Sequence, residues 1–211
     1  MFTKPGSLQN RAVPESRSCC PLQAKLEMAE VYRKEFEELS ALAEKCLRGP
    51  AKHRPYHRTL LRLWRYPSFD QWTSWLVYVP VGRYTESDSP IVVEVIWNRR
   101  FDYERFSNPM KGLAHGFSTA PTVTLREAEV PLVTLNSQLL SLQQISAPLL
   151  IGRSVVLDGE QFGLETFGNT AAFRLSWWSI AEEAWQPIVC WAEETRDFLS
   201  SCLTGQSVHN V

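Results

Sequence analysis

Apolar and polar residues alternate one by one through 162–165 and again through 173–178, and the rhythm then changes to a three- and four-residue spacing. In the first run Phe162 and Leu164 alternate with Gly163 and Glu165. In the second, Phe173, Leu175 and Trp177 alternate with Arg174, Ser176 and Trp178. Side chains two apart share a strand face, so each run offers one apolar face that needs a cover. The pairs Asp158-Gly159 and Gly168-Asn169 suit two-residue hairpin loops, because these residues tolerate positive φ. With a strand over 149–157, they predict a three-strand meander. Ile188, Trp191, Thr195, Phe198, Leu199 and Cys202 then recur at helical spacing and supply the cover. Ser179 and Glu182 have the spacing of a helix start, whereas Pro187 is tolerated only in a first turn. A short turn over 179–185 and a main helix from about Pro187 follow.

The first half reads in the same way. Leu22, Leu26, Ala29, Phe36, Leu39, Ala43 and Cys46 form a helical stripe over 22–47, stopped by Gly49 and Pro50. Strands are expected over 59–66, 72–81 and 91–98, the last apolar almost throughout and so buried on both faces. The segment 102–120 reads as a long irregular loop. A fourth strand is expected over 122–130, and a helix over 132–145 that ends before Pro148. The predicted fold is α+β, with antiparallel β-meanders packed against an N-terminal and a C-terminal helix. Residues 1–21 read as a disordered tail, 22–204 as a single domain and 205–211 as a second tail.

Composition narrows the class without naming a chemistry. Hydrophobic residues are 44% of the 211 and charged residues 21%, as in an ordinary globular protein. A formal net charge of −1 gives no global field toward nucleic acid or an anionic membrane. The five cysteines are odd in number and none has Cys-x-x-Cys spacing, so free thiols and a cytoplasmic location are expected. No apolar run reaches the roughly eighteen residues of a membrane helix, and the first twenty residues lack the apolar core of a signal peptide. No cofactor and no metal site is signalled.

Four places carry candidate chemistry. The stretch 45–69 holds seven Lys or Arg, two His and no acid. Its cations, with Trp64 and Tyr66 as stacking partners, offer a mechanism for nucleic-acid binding, which the acids elsewhere in the chain disfavour. His53 and His57 are spaced for a metal on a helix, but Pro55 between them breaks such a helix. His115, between Gly112 and Gly116, and Asp102, in Asp102-Tyr103-Glu104-Arg105, are the polar candidates of the long loop. No nucleophile motif accompanies them. Asp158, Glu160 and Glu165 offer carboxylates, yet Glu160 and Glu165 are an odd number apart and should face opposite ways on a strand. Trp178 and Trp185 are the aromatic candidates for partner contact if they are exposed.

From Leu132 onward the layout resembles that of many small uncharacterised bacterial α+β proteins. The features are an amphipathic helix, Leu157-Asp158-Gly159, a strand with Phe162 and Leu164, Leu175-Ser176-Trp177-Trp178, and Trp185-x-Pro187 opening a C-terminal helix. Some of those proteins neighbour toxin systems and are suspected immunity proteins. The resemblance covers about the last eighty residues, rests on structural motifs and carries over no catalytic residue. It implies a non-enzymatic bacterial protein, and the favoured reading is a cytoplasmic protein that binds another protein, in immunity fashion. The alternative is an enzyme or small-ligand binder with a cleft beside the 102–120 loop.

Overall fold

A computed structural model describes residues 21–49, 56–82, 89–107, 120–146, 159–168, 172–179 and 182–210. In chain order these form α1 (Pro21–Arg48), β1 (His57–Pro67), β2 (Trp72–Pro80), β3 (Ile91–Trp97), α2 (Arg99–Ser107), β4 (Val123–Glu129), α3 (Leu132–Gln143), β5 (Glu160–Phe167) and β6 (Ala172–Trp178). A 3-10 turn at Glu183–Trp185 leads into α4 (Gln186–Cys202), and β7 (His209–Asn210) closes the order. The fold is α+β, with helices from both ends of the chain flanking an antiparallel sheet.

The strands make one seven-stranded sheet in the order β6-β5-β1-β2-β3-β4-β7, rather than two separate meanders. The expected first meander, β1 to β4, holds in that order. The second joins it because β5 pairs with β1, placing Leu164 opposite Leu63 and Glu165 opposite Arg62. β5 therefore has β1 on one edge and β6 on the other. The strand expected over 149–157 and its turn at Asp158 lie outside the described residues, which omit 147–158. Gly159 is tied to Ser68, whose N–H and hydroxyl both donate to its carbonyl oxygen. The second expected turn is longer than two residues, since Phe167 pairs with Ala172 across four intervening positions.

Period two sorts each strand's residues onto two faces, and both faces are covered. Leu61, Leu63, Trp75, Val77, Leu164 and Trp177 point to a core closed by Leu135 of α3 and by Ile188, Trp191 and Leu199 of α4. Trp191 also donates its indole N–H to the Gln138 carbonyl at 2.8 Å, and Thr195 donates to the Gln138 side chain at 3.1 Å, so α4 is fastened to α3. On the other face Trp64, Tyr66, Leu76, Val93, Val95 and Trp97 meet Ala43 and Leu47 of α1. β3 is buried on both faces as its composition predicted, and carries one charge inward: Glu94, which accepts from Arg126 of β4 at 2.6 Å. Residues 102–107, expected as loop, belong to α2. Phe173, expected under the C-terminal helix, is 45% exposed, because β6 begins beyond the reach of that cover.

Residues 205–210, expected as a tail, bring His209 and Asn210 alongside Leu125 and Thr124 of β4. Among the described residues, Cys46, Cys190 and Cys202 are outside any disulfide, and no helix is long and apolar enough to cross a membrane.

Candidate functional site

Of the basic stretch, one cation, Arg62, is drawn into the interior. Arg62 is 1% exposed. Its guanidinium donates to the Leu47 carbonyl at 3.1 Å, to the Ser74 hydroxyl at 2.9 Å, to the Tyr66 hydroxyl at 2.5 Å and to Glu165 at 3.3 Å. Burial pulls its pKa down from the ordinary arginine value, and burial pushes the Tyr66 phenol up to about 12. A buried charge with four acceptors is a satisfied one, and here it joins α1, β1, β2 and β5. Trp64 and Tyr66, the expected stacking partners for nucleic acid, are 2% and 8% exposed and belong to the core. His53 lies outside the described residues, and among those residues no group of His, Cys, Asp and Glu is placed to hold a metal ion.

Trp64 has an unusual seat. Its indole lies over Gly163, at a position where any β-carbon on residue 163 would fall inside the ring. The guanidinium groups of Arg62 and Arg174 sit 4.8 and 5.1 Å from the ring centre. Only glycine permits this approach, which explains a glycine in the middle of a strand.

Asp102, a candidate for outside contact, is fully buried. It accepts from the Trp97 indole at 2.7 Å and from the Thr122 N–H and hydroxyl, both at 2.7 Å, and it pairs with Arg105 at 3.2 Å. Arg105 in turn donates to the Ala120 carbonyl at 3.1 Å. Asp102 and Arg105 thus draw together the two ends of the segment between Ser107 and Ala120. His115 lies outside the described residues. Trp185 is 4% exposed and packs in the α4 core, while Trp178 is half-buried on the sheet face opposite α4. Asp102, Trp178 and Trp185, the three of these that lie among the described residues, do not converge on one site.

The structure brings together a different set. A cleft of about 250 Å³ opens between the β1–β5–β6 end of the sheet and the first half of α4. Trp75, Phe162 and Trp177 wall it, with the Phe162 and Trp177 rings stacked 6.3 Å apart and 12° from parallel. Val189 and Ala192 close it from α4, and Arg65, Glu160, Glu193 and Arg196 form its polar rim. Arg65 holds Glu160 by two hydrogen bonds, of 3.0 and 2.5 Å. That bonding, helped by the positive charges of Arg65 and Arg196, keeps the Glu160 carboxyl below the usual carboxylate range and outweighs its partial burial. Glu160 and Glu165 do face opposite ways, each answered by an arginine of β1.

The shift of Glu160 fixes a pH dependence. Its folded pKa lies below the unfolded one, so its contribution is complete above the unfolded pKa and is lost as pH falls through the folded value. Both partners are a third or more exposed, so the contribution is about 1 kcal/mol or less. Glu160→Gln should therefore melt slightly below the wild type at neutral pH, and the difference should shrink as pH falls below the ordinary Glu value of about 4.3. Paired thermal melts across pH 3–7 check this; a gap that is unchanged or widens at low pH would contradict it.

Of the residues the sequence offered, Glu160 lies on the rim of this cleft. The rest is assembled from β1, β2, β5, β6 and α4, which local periodicity does not connect. Compared with known protein families, curated proteins and solved structures, the chain matches none.

Proposed function

We propose that this chain is a non-enzymatic binding protein whose partner is another protein, in the manner of an immunity protein holding its toxin in a bacterial cytoplasm. The observation that carries the reading is the cleft: three aromatic walls inside a rim of two arginines and two glutamates. Such a centre and rim match the anatomy of interface hot spots, where a buried apolar anchor is ringed by polar groups that exclude water. At about 250 Å³ the cleft is below the roughly 300–1,000 Å³ of drug-sized ligand pockets and suits one large side chain. General acid–base chemistry near neutral pH favours a carboxyl tuned upward, whereas Glu160 is held downward by Arg65. The resemblance of the sequence from Leu132 onward to suspected immunity proteins points to the same partner class.

Ala192→Phe tests this by filling the cleft from α4 with a ring of the partner's own size. Wild type and variant are used as bait in extract of the native cell, after thermal melts show that both are folded. The expected result is a protein retained in about stoichiometric amount by wild type and at least ten-fold less by Ala192→Phe. Arg196→Glu, at the rim, should lower retention by a smaller factor. Equal retention by all three baits would overturn the reading.

A further inference from the structure

We infer that the outer edge of β6 is an interaction surface whose partner is a second copy of this chain, joined strand to strand about a two-fold axis through Leu175. The inference is independent of the cleft. β6 ends the sheet: β5 takes one of its edges, and no described strand takes the other. The N–H of Ser179 donates to the Glu160 carbonyl, so the odd-numbered residues of β6 bond toward β5. Alternation then directs the N–H and C=O groups of Ala172, Arg174, Ser176 and Trp178 outward. Such a row is a template for another strand, and proteins blunt it with bulges, proline, outward charge or shortness. The other end of the sheet is blunted in that way, by the two residues of β7. β6 is seven residues long, pairs with β5 in unbroken register and contains no proline or lysine. Its one charge, Arg174, is drawn back over the Trp64 ring of β1, away from the edge.

The strand matches itself. In an antiparallel pair centred on Leu175, all seven residues find an opposite number. Arg174 faces Ser176 of the second copy, Phe173 faces its Trp177 and Ala172 faces its Trp178. The two guanidinium groups stay apart, whereas a pair centred on Arg174 would set them face to face. The outward-bonding residues pair with one another, 172 with 178 and 174 with 176. That leaves Leu175 with its own copy, and Phe173 with Trp177, as the close pairs without backbone bonds, where side chains approach most nearly. Phe173 is 45% exposed beyond the reach of α4, and the second copy gives it the cover that one chain lacks. The same edge is used by both copies, so the pairing closes at two. One strand pair is a small interface, and the association is therefore weak and concentration-dependent.

Sedimentation of the full chain at rising concentration tests this. The mass should climb from that of one chain to that of two and no further. Ser176→Pro removes an outward N–H and leaves the β5 pairing intact, as proline on an edge strand can. Phe173→Lys puts a charge on the edge, as natural edge strands do. Each should raise the dissociation constant at least about ten-fold, since symmetry counts every lost contact twice. In wild type, NMR-detected exchange of the 174, 176 and 178 amides should slow as concentration rises. That measurement decides the matter alone if a variant does not fold. A single chain at every concentration would overturn the inference. Amides protected throughout would then mean that another segment of the same chain pairs with the edge, and unprotected amides that the edge is open to a different protein. A dimer that neither variant weakens, with those amides unchanged, would overturn it as well.

Discussion

Gly163→Ala is expected to destabilise the protein by about 3 kcal/mol or more, although it adds one methyl group. The new β-carbon would fall inside the Trp64 indole, and that ring has nowhere to retreat. Arg62 and Arg174 lie against it, and Trp64 is directly opposite Gly163 in the β1–β5 register. Overpacking a rigid sheet forces either an unfavourable rotamer or a shift of β5. For a domain of this length the loss corresponds to about 6–12 °C in melting temperature. A rescue distinguishes this cause from a general intolerance of alanine. Trp64→Leu costs stability through the cavity it leaves, but it also clears the space above residue 163. Chemical denaturation of the double variant should therefore show a loss at least about 2 kcal/mol smaller than the sum of the two singles. Additive losses would mean that Trp64 does not occupy the seat above Gly163.

The second large effect is expected at Trp191. Its side chain is 4% exposed between the sheet and α3, and its indole N–H is bonded to Gln138. Truncation to Ala removes a large buried side chain and opens a cavity, which together cost about 3–5 kcal/mol. Against a total of about 5–15 kcal/mol, little folded protein should remain. Trp178→Ala changes the same residue type on the half-buried opposite face of β6, and should cost about 1–2 kcal/mol. Thermal melts of the two variants give the comparison. Equal, small shifts would contradict the register, since a slip of one residue exchanges Trp177 and Trp178 between faces.

These two positions illustrate how far the sequence could be read. The alternation of Phe162, Leu164, Leu175 and Trp177, and the helical stripe of Ile188, Trp191 and Leu199, predicted a shared core, and the structure has it. Such periodicities are local, so they also located β1 to β4 and both long helices. Pairing between distant strands is not local. Nothing near Arg62 announces that Glu165 will stand opposite it, and a lone arginine in a strand reads as a surface residue. The same limit hid Asp102, whose partners Trp97 and Thr122 lie on two different strand ends and whose burial turns a candidate contact into an internal fastener. It hid the cleft as well, since Trp75 and Ala192 meet only after β5 has docked on β1.

The surface that meets the partner is the central claim, and hydrogen–deuterium exchange of the protein with and without its captured partner tests it most directly. The expected result is slowed exchange concentrated in residues 159–165, 175–179 and 189–196, which frame the cleft. Protection confined to α1, α2 or the segment between Ser107 and Ala120, with the cleft residues unchanged, would contradict it.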